Sequence, residues 1–383
     1  MGDHVDILTG FPFSSGKYTE SPVDMRLIRG DNVVQGRIRW AGVKRWPKSE
    51  VAEYEKYALH AGDVLLAMDR PWIEAGLKYA ALTVDDTPAL LVQRVARLRV
   101  RDGIDQGFLR YVIGSPAFSA YIQAVQTGTA VPHISSGQIR DYECPLPPLP
   151  YQQAISRVLG ALDAKIEGNR RLVHRAEKWA RHSLDDPSIS VHAPLGELVT
   201  VVKSHVNPAD LGEQMVRHFS LPAFDSLSAP EVVKASDIKS GKLALREGVV
   251  LFSKLNPRIP RVWLPDMTSD LLSLASTEFL PLLPKEGLTD IDIWAACQQP
   301  AFLVEAQARV TGTSGSHQRV RQQDLLALLV RDPRSARPEL RATARAMLAY
   351  VGGLRRESAR LAETRDGLAA RLLRGPVPGL AAS

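Results

Sequence analysis

This chain of 383 residues contains one pattern twice. Pro116-Ala117-Phe118 is followed nine residues later by Thr127-Gly128-Thr129, and Pro300-Ala301-Phe302 nine residues later by Thr311-Gly312-Thr313, an offset of 184. His133 and His317 each lie five residues beyond the glycine. Upstream, residues 58–65 resemble residues 244–251 at an offset of 186, and residues 1–5 echo residues 195–199. Chance gives one such pair easily, but four kept in order identify a tandem duplication. The chain must therefore fold as two like lobes.

Each repeat has two parts. Short alternating or apolar runs at residues 63–68 and 94–100 predict strands. Residues 108–126 and 292–309 predict helices that close each lobe. A long helix follows each lobe. After the stiff run Pro145-Leu146-Pro147-Pro148-Leu149-Pro150, the positions Ile155, Leu159, Leu162, Ile166, Asn169 and Val173 follow heptad spacing with one polar member. Beyond Asp332-Pro333, the positions Met347, Val351, Leu354, Ser358, Leu361, Arg365 and Leu368 do the same. A narrow apolar stripe on a charged helix needs a partner, and the simplest is the other helix, in a parallel or antiparallel coiled coil. The expected fold class is α+β. Two mixed lobes, 1–150 and 186–335, alternate with helices at 151–185 and 336–375.

Composition bounds the function. Two cysteines, Cys144 and Cys297, build neither a disulfide framework nor a four-thiolate zinc site. Apolar runs such as 325–330 fall far short of the roughly 20 residues a bilayer span needs. The first residues lack the layout of a signal peptide, so a cytoplasmic location without membrane contact is expected. Net charge is +6, carried mainly by the helices: residues 151–182 hold 7 basic and 3 acidic side chains, and residues 336–375 hold 9 and 4. A nucleic-acid surface on the lobes must then be a local stripe. No phosphate-binding loop, nucleophile elbow or zinc-protease motif occurs. Asn256-Pro257-Arg258-Ile259 has only the first half of an amino-methyltransferase loop and reads as a turn among basic residues. The acid-x-Lys fragments at Asp163 and Asp237 lack an upstream acidic partner and read as surface charge.

Taken together, Gly10-Phe11-Pro12-Phe13, Arg29-Gly30-Asp31-Asn32, Gly62-Asp63-Val64-Leu65, the Thr127–Thr129 loop with His133-Ile134-Ser135, and the proline run with Gln152 or Gln153 resemble a type I restriction-modification specificity subunit. In the second half the resemblance covers Pro194–Leu198, residues 255–259 and residues 312–319, although that half lacks an Arg-Gly-Asp-Asn counterpart. The resemblance implies a non-catalytic subunit with no cofactor of its own, whose two target-recognition domains each read half of a split, asymmetric site in double-stranded DNA. It implies two methyltransferase subunits using S-adenosylmethionine, and translocase or nuclease subunits using ATP and Mg2+. A helix of about 31 residues, roughly 46 Å long at ~1.5 Å per residue, exceeds one ~34 Å turn of duplex.

On that reading, Arg37, Arg39, Trp40, Lys44, Arg45, Trp46 and Lys48 form a basic-aromatic cluster with no acid between Asp31 and Glu50, suited to phosphate and guanine contacts. Lys254, Arg258, Arg261 and Arg319 are their candidate counterparts in the second lobe. Thr129, His133 and Ser135, with Thr313, Ser316 and His317, form matching loops whose equivalence suggests phosphate contact or closure of the fold. The competing expectations are a DNA reader in another methyltransferase-containing defence assembly, a scaffold that binds proteins, and a nuclease centred on Asp237 and Lys239.

Overall fold

The computed structural model describes residues 1–373 except 41, 74–75, 129–130, 187–188, 228 and 312–317. Two units emerge, Met1–Ala164 with the residues from Ala362 onward, and Lys165–Leu361. The fold is α+β throughout.

In the first unit a five-stranded sheet runs in the order Val5–Thr9, Val95–Val100, Val64–Ala67, Tyr79–Ala81, Gln35–Gly36. A four-stranded sheet beside it runs Lys44–Trp46, Met25–Ile28, Ala89–Leu91, Ala58–Leu59. The second unit uses the same plan. Val199–Val201, Phe279–Pro284, Val250–Ser253 and Val262–Trp263 make one sheet; Met215–Phe219 and Ser273–Ser276 lie at the heart of the other. Each unit has one parallel pair within its second sheet, Met25–Ile28 with Ala89–Leu91 and Met215–Phe219 with Ser273–Ser276. The duplication seen in the sequence is thus repeated in topology.

Local chemistry sets the helix starts. The Asp105 carboxylate accepts from the Phe108 amide at 2.8 Å, and Ser115 caps the next helix, where Pro116 occupies the first turn. In the second unit Thr289 and Asp292 form a capping box and Pro300 opens the following helix.

The two long helices span Leu149–Leu184 and Pro338–Leu372. They pair antiparallel, settling the orientation the spacing left open. In the second unit Asn169, 1% exposed, donates from Nδ2 to Ser358 Oγ at 3.3 Å and to Glu357 Oε2 at 2.8 Å. Arg355 binds Glu177 at 2.5 Å, while Val351 and Leu354 are buried and Val173 packs half-buried. In the first unit Asp163 receives Arg365 and the Tyr111 hydroxyl, both at 2.7 Å, and also Arg110.

The helices do more than pair. Ile155 and Leu159 belong to the first unit's core with Phe108 and Val112, and Leu368 packs against it. Ala180 and Leu184 join Trp294, Ala344 and Leu348 in the core of the second. Ile166 is buried, whereas Leu162, Met347 and Leu361 are half-buried along the seam. Gln152, also buried, accepts from the Asp105 amide and donates to the Gly103 and Pro147 carbonyls, fixing the proline-rich entry.

Candidate nucleic-acid interface

The basic-aromatic cluster of the first lobe does not form one surface. Lys44–Trp46 is an edge strand paired with Met25–Ile28, and strand alternation turns Trp46 inward. It is 2% exposed and packs against Phe13 and Tyr54 at ring distances of 4.9 and 5.7 Å. Trp46 is a core residue, out of reach of DNA. Trp40 is half-buried, donating to Asp86 at 3.0 Å beneath the Arg26 guanidinium. Residues before the cluster engage part of it: Lys44 pairs with the Glu20 carboxylate at 3.1 Å, and Arg45 donates to the Asp24 backbone carbonyl at 2.7 Å. Lys48 is exposed, with its backbone amide on the Asp24 carboxylate. Arg37 is half-buried. Arg39 is exposed and donates to the Asp31 carbonyl.

Arg39 faces a different neighbourhood. Burial holds the Lys78 amine below the usual lysine range, and the nearby Arg39 and Arg70 charges push the same way against Asp31 and Asp69. This positive group adjoins the loop that closes the lobe. Thr127 and His133 exchange backbone hydrogen bonds of 2.9 and 2.8 Å, and His133 also bridges Asp69. The exposed Ser135 caps the short helix Ser136–Arg140, a fold-closing role. Thr129 lies outside the described residues.

In the second lobe Thr313, Ser316 and His317 also lie outside the described residues. The backbone nonetheless corrects the register of the match. Thr311 pairs with Arg319 and Leu255 bridges Arg319, as Thr127 and Asp69 do with His133. Arg319, rather than His317, therefore occupies the place of His133; two extra residues in the loop explain the slip. Arg319 donates to Glu278 from Nη2 at 2.7 Å and Nε at 3.0 Å, which holds the Glu278 carboxyl below its usual range. Burial keeps the Lys254 amine low despite Glu278. Arg261 is bidentate on Asp225, both contacts 2.7 Å, with its side chain 10% exposed. Its role is structural, which corrects its assignment to the DNA surface. Arg258 is exposed and makes no ion pair with a described residue.

One element escapes the sequence motifs. After the central strands, Arg70-Pro71-Trp72-Ile73 and Asn256-Pro257-Arg258-Ile259 stand at the same offset of 186 that relates residues 58–65 to 244–251. Arg70 and Asn256 adopt positive φ, 45° and 46°. Pro71 and Pro257 are both buried, and the next two residues are exposed in both lobes. Extending the register five residues past Leu65 finds this pair.

Neither acid-x-Lys fragment makes a metal site. Asp163 is neutralised by Arg110 and Arg365, and Lys239 donates to the Ser236 carbonyl. Among the described residues no group of three or more His, Cys, Asp or Glu is placed to hold a metal ion. Nor is any helix among them long and apolar enough to cross a membrane.

Residues 16–177 match the type I restriction modification DNA specificity domain family. The chain is 33% identical over 175 residues to the EcoAI specificity subunit of Escherichia coli, covering 45% of this chain and 28% of that protein. It is likewise 33% identical over 175 residues to the MjaVIII specificity subunit of Methanocaldococcus jannaschii, covering 45% and 41%. The match thus spans less than half of these relatives. In fold, the chain resembles the type I restriction-modification system S subunit from M. genitalium, with a TM-score of 0.51 and 12% identity over 98% of this chain and 95% of that one. Residues 16–177 thus match a type I restriction modification DNA specificity domain in sequence, and the chain shares the fold of a solved type I S subunit over nearly its whole length.

Proposed function

We propose that this chain is the DNA-recognition subunit of a type I restriction-modification assembly in the cytoplasm, and that each lobe reads one half of a split, asymmetric site in double-stranded DNA. The observation that carries the reading is the pairing of like scaffolds with unlike exposed side chains, Trp72 in one lobe where the other has Arg258. A common scaffold presents the reader, and different side chains give different half-sites. The subunit catalyses nothing itself. Two methyltransferase subunits that bind S-adenosylmethionine dock on it and modify adenine N6, and translocase or nuclease subunits add ATP- and Mg2+-dependent cleavage. The charged outer faces of the helices are the surface left for such partners.

The test is co-expression with the methyltransferase encoded beside it, followed by single-molecule sequencing for N6-methyladenine. The expected result is a methylated split motif that disappears when this chain is omitted. Exchange of residues 1–150 for those of another specificity subunit should change one half of that motif only. A stable complex without motif-specific methylation would sink the proposal.

A further inference from the structure

From the two tips that follow the central strands, we infer that Trp72 and Arg258 are the corresponding base-reading residues of the two lobes, Arg258 selecting a guanine and Trp72 an apolar base edge. The inference deepens the proposed function and rests on it.

Both tips are held rigidly. A positive φ is uncommon for a residue with a side chain and persists only where its surroundings over-determine it. Here they do: the Arg70 amide donates to the Pro132 carbonyl at 2.6 Å, and the Asn256 amide to the Gln318 carbonyl at 2.8 Å. The buried proline that follows fixes the next backbone dihedral. In the first lobe the antiparallel pairing of Trp72–Ile73 with Gly76–Leu77 adds further support, with Gln35 Nε2 on the Gly76 carbonyl at 3.2 Å. In the second, the Ile259 amide returns to the Asn256 carbonyl at 2.9 Å.

What these bases carry is unusual for a surface loop. Ile73 and Ile259 occupy the same position in their lobes, 39% and 49% exposed, and Trp72 is 37% exposed. Near the apolar tips cations outnumber acids: Arg39, Arg70 and Lys78 with Asp31 and Asp69 in one lobe, Lys203, Lys254 and Arg319 with Glu278 in the other. Charge of that sign favours a polyanion over an apolar protein face. An apolar wedge flanked by phosphate-binding cations suits insertion against base edges. The shared isoleucine is common to both lobes and so cannot distinguish their half-sites; the residue before it can. Arginine bonds guanine O6 and N7 bidentately, whereas an aromatic face meets a thymine methyl or an unstacked step.

The experiment uses the full chain co-purified with its methyltransferase subunits. The wild-type motif is first defined by sequencing. Duplexes carrying that motif, and duplexes with each base pair changed in turn, are then titrated with the wild type, Trp72→Ala, Arg258→Ala and Arg258→Lys. Arg258→Ala should lose roughly tenfold or more in affinity for the motif and stop discriminating at a G·C pair in one half only. Arg258→Lys should keep more of the affinity yet still lose that discrimination, since it retains charge without the bidentate fork. Replacement of the guanine by 7-deazaguanine should weaken the wild type and leave Arg258→Ala unchanged. Trp72→Ala should lose discrimination in the other half alone. Variants that keep every preference, or that weaken all duplexes equally, overturn the inference while leaving the wild-type motif standing. Loss of co-purification would assign the tips to a protein contact and overturn it too. A wild type with no motif at all refutes the underlying reading instead.

Discussion

Arg261 and Arg258 lie three residues apart in one loop, but Arg261 is held by both oxygens of Asp225 whereas Arg258 points to solvent. Arg261→Ala should therefore lower stability by about 1.5–3 kcal/mol, the range for charge-assisted hydrogen bonds, and change the salt dependence of DNA binding little. Arg258→Ala should do the reverse, leaving stability within about 0.5 kcal/mol. Thermal denaturation and duplex titrations across salt separate the two. His218 gives a pH-dependent case. Burial, with the Lys242 charge behind it, depresses its pKa to about 4, and its Nδ1 stands 3.9 Å from Glu231. The unfolded chain binds this proton near pH 6.5 while the folded one does not, so stability falls as pH drops from 6.5 towards 4. His218→Gln should lose less stability than the wild type over that window in denaturant titrations at pH 7 and 5. Side chains like these are only half legible in the sequence. The charge of residues 37–48 is evident there, but Glu20, which pairs with Lys44, and the Asp24 carbonyl, which accepts from Arg45, lie outside the run. Trp46 is hidden because it lies in a run that reads as wholly basic, while in the strand it turns to the face opposite Arg45 and is buried.

At the scale of elements, both long helices and their seams are legible, because heptad spacing kept up over so many turns suits little but a paired helix. Asn169 and Ser358 each stand out as polar members of a seam, and the antiparallel register makes them partners. Asn169→Leu should cost little, since Ser358 keeps the Leu354 carbonyl at 2.8 Å and Glu357 keeps Lys165 at 3.3 Å. Asn169→Asp would set a carboxylate against Glu357 and should cost about 1–3 kcal/mol at pH 7. Part of that loss should return at pH 4.5, measured by urea denaturation. The role of the helix ends is not legible. Heptad periodicity describes one stripe, but Leu159 lies on that stripe and within the core of a sheet-bearing unit at once. Leu159→Ala, at a site with no exposure, should cost about 2–5 kcal/mol.

For the whole molecule, the duplication carries the reading. It gives two lobes, their order and the place of each helix, and the strand plan repeats as the sequence does. What it cannot give is register inside loops of unequal length. Counting along the sequence matches His317 to His133, while the backbone puts Arg319 there. Conversely, the two tips with Trp72 and Arg258 share no residue beyond Pro and Ile. The offset of 186 aligns them in sequence, but it does not show that two unlike residues, Arg70 and Asn256, adopt the same rare backbone conformation. That coincidence shows only in three dimensions.

The chain passes from the first unit to the second within one long helix and returns within the other. Order of synthesis follows from this. When the ribosome has finished residue 164, the first unit still lacks the segment from Ala362 that brings Arg365 to Asp163 and Leu368 to its core. The part begun first is completed last, after the second unit has been made in full. A chain stopped after residue 361 should then carry an intact second unit and a first unit open at the side of Leu159. Limited proteolysis of that truncated chain should cleave within residues 1–164 and spare 165–361.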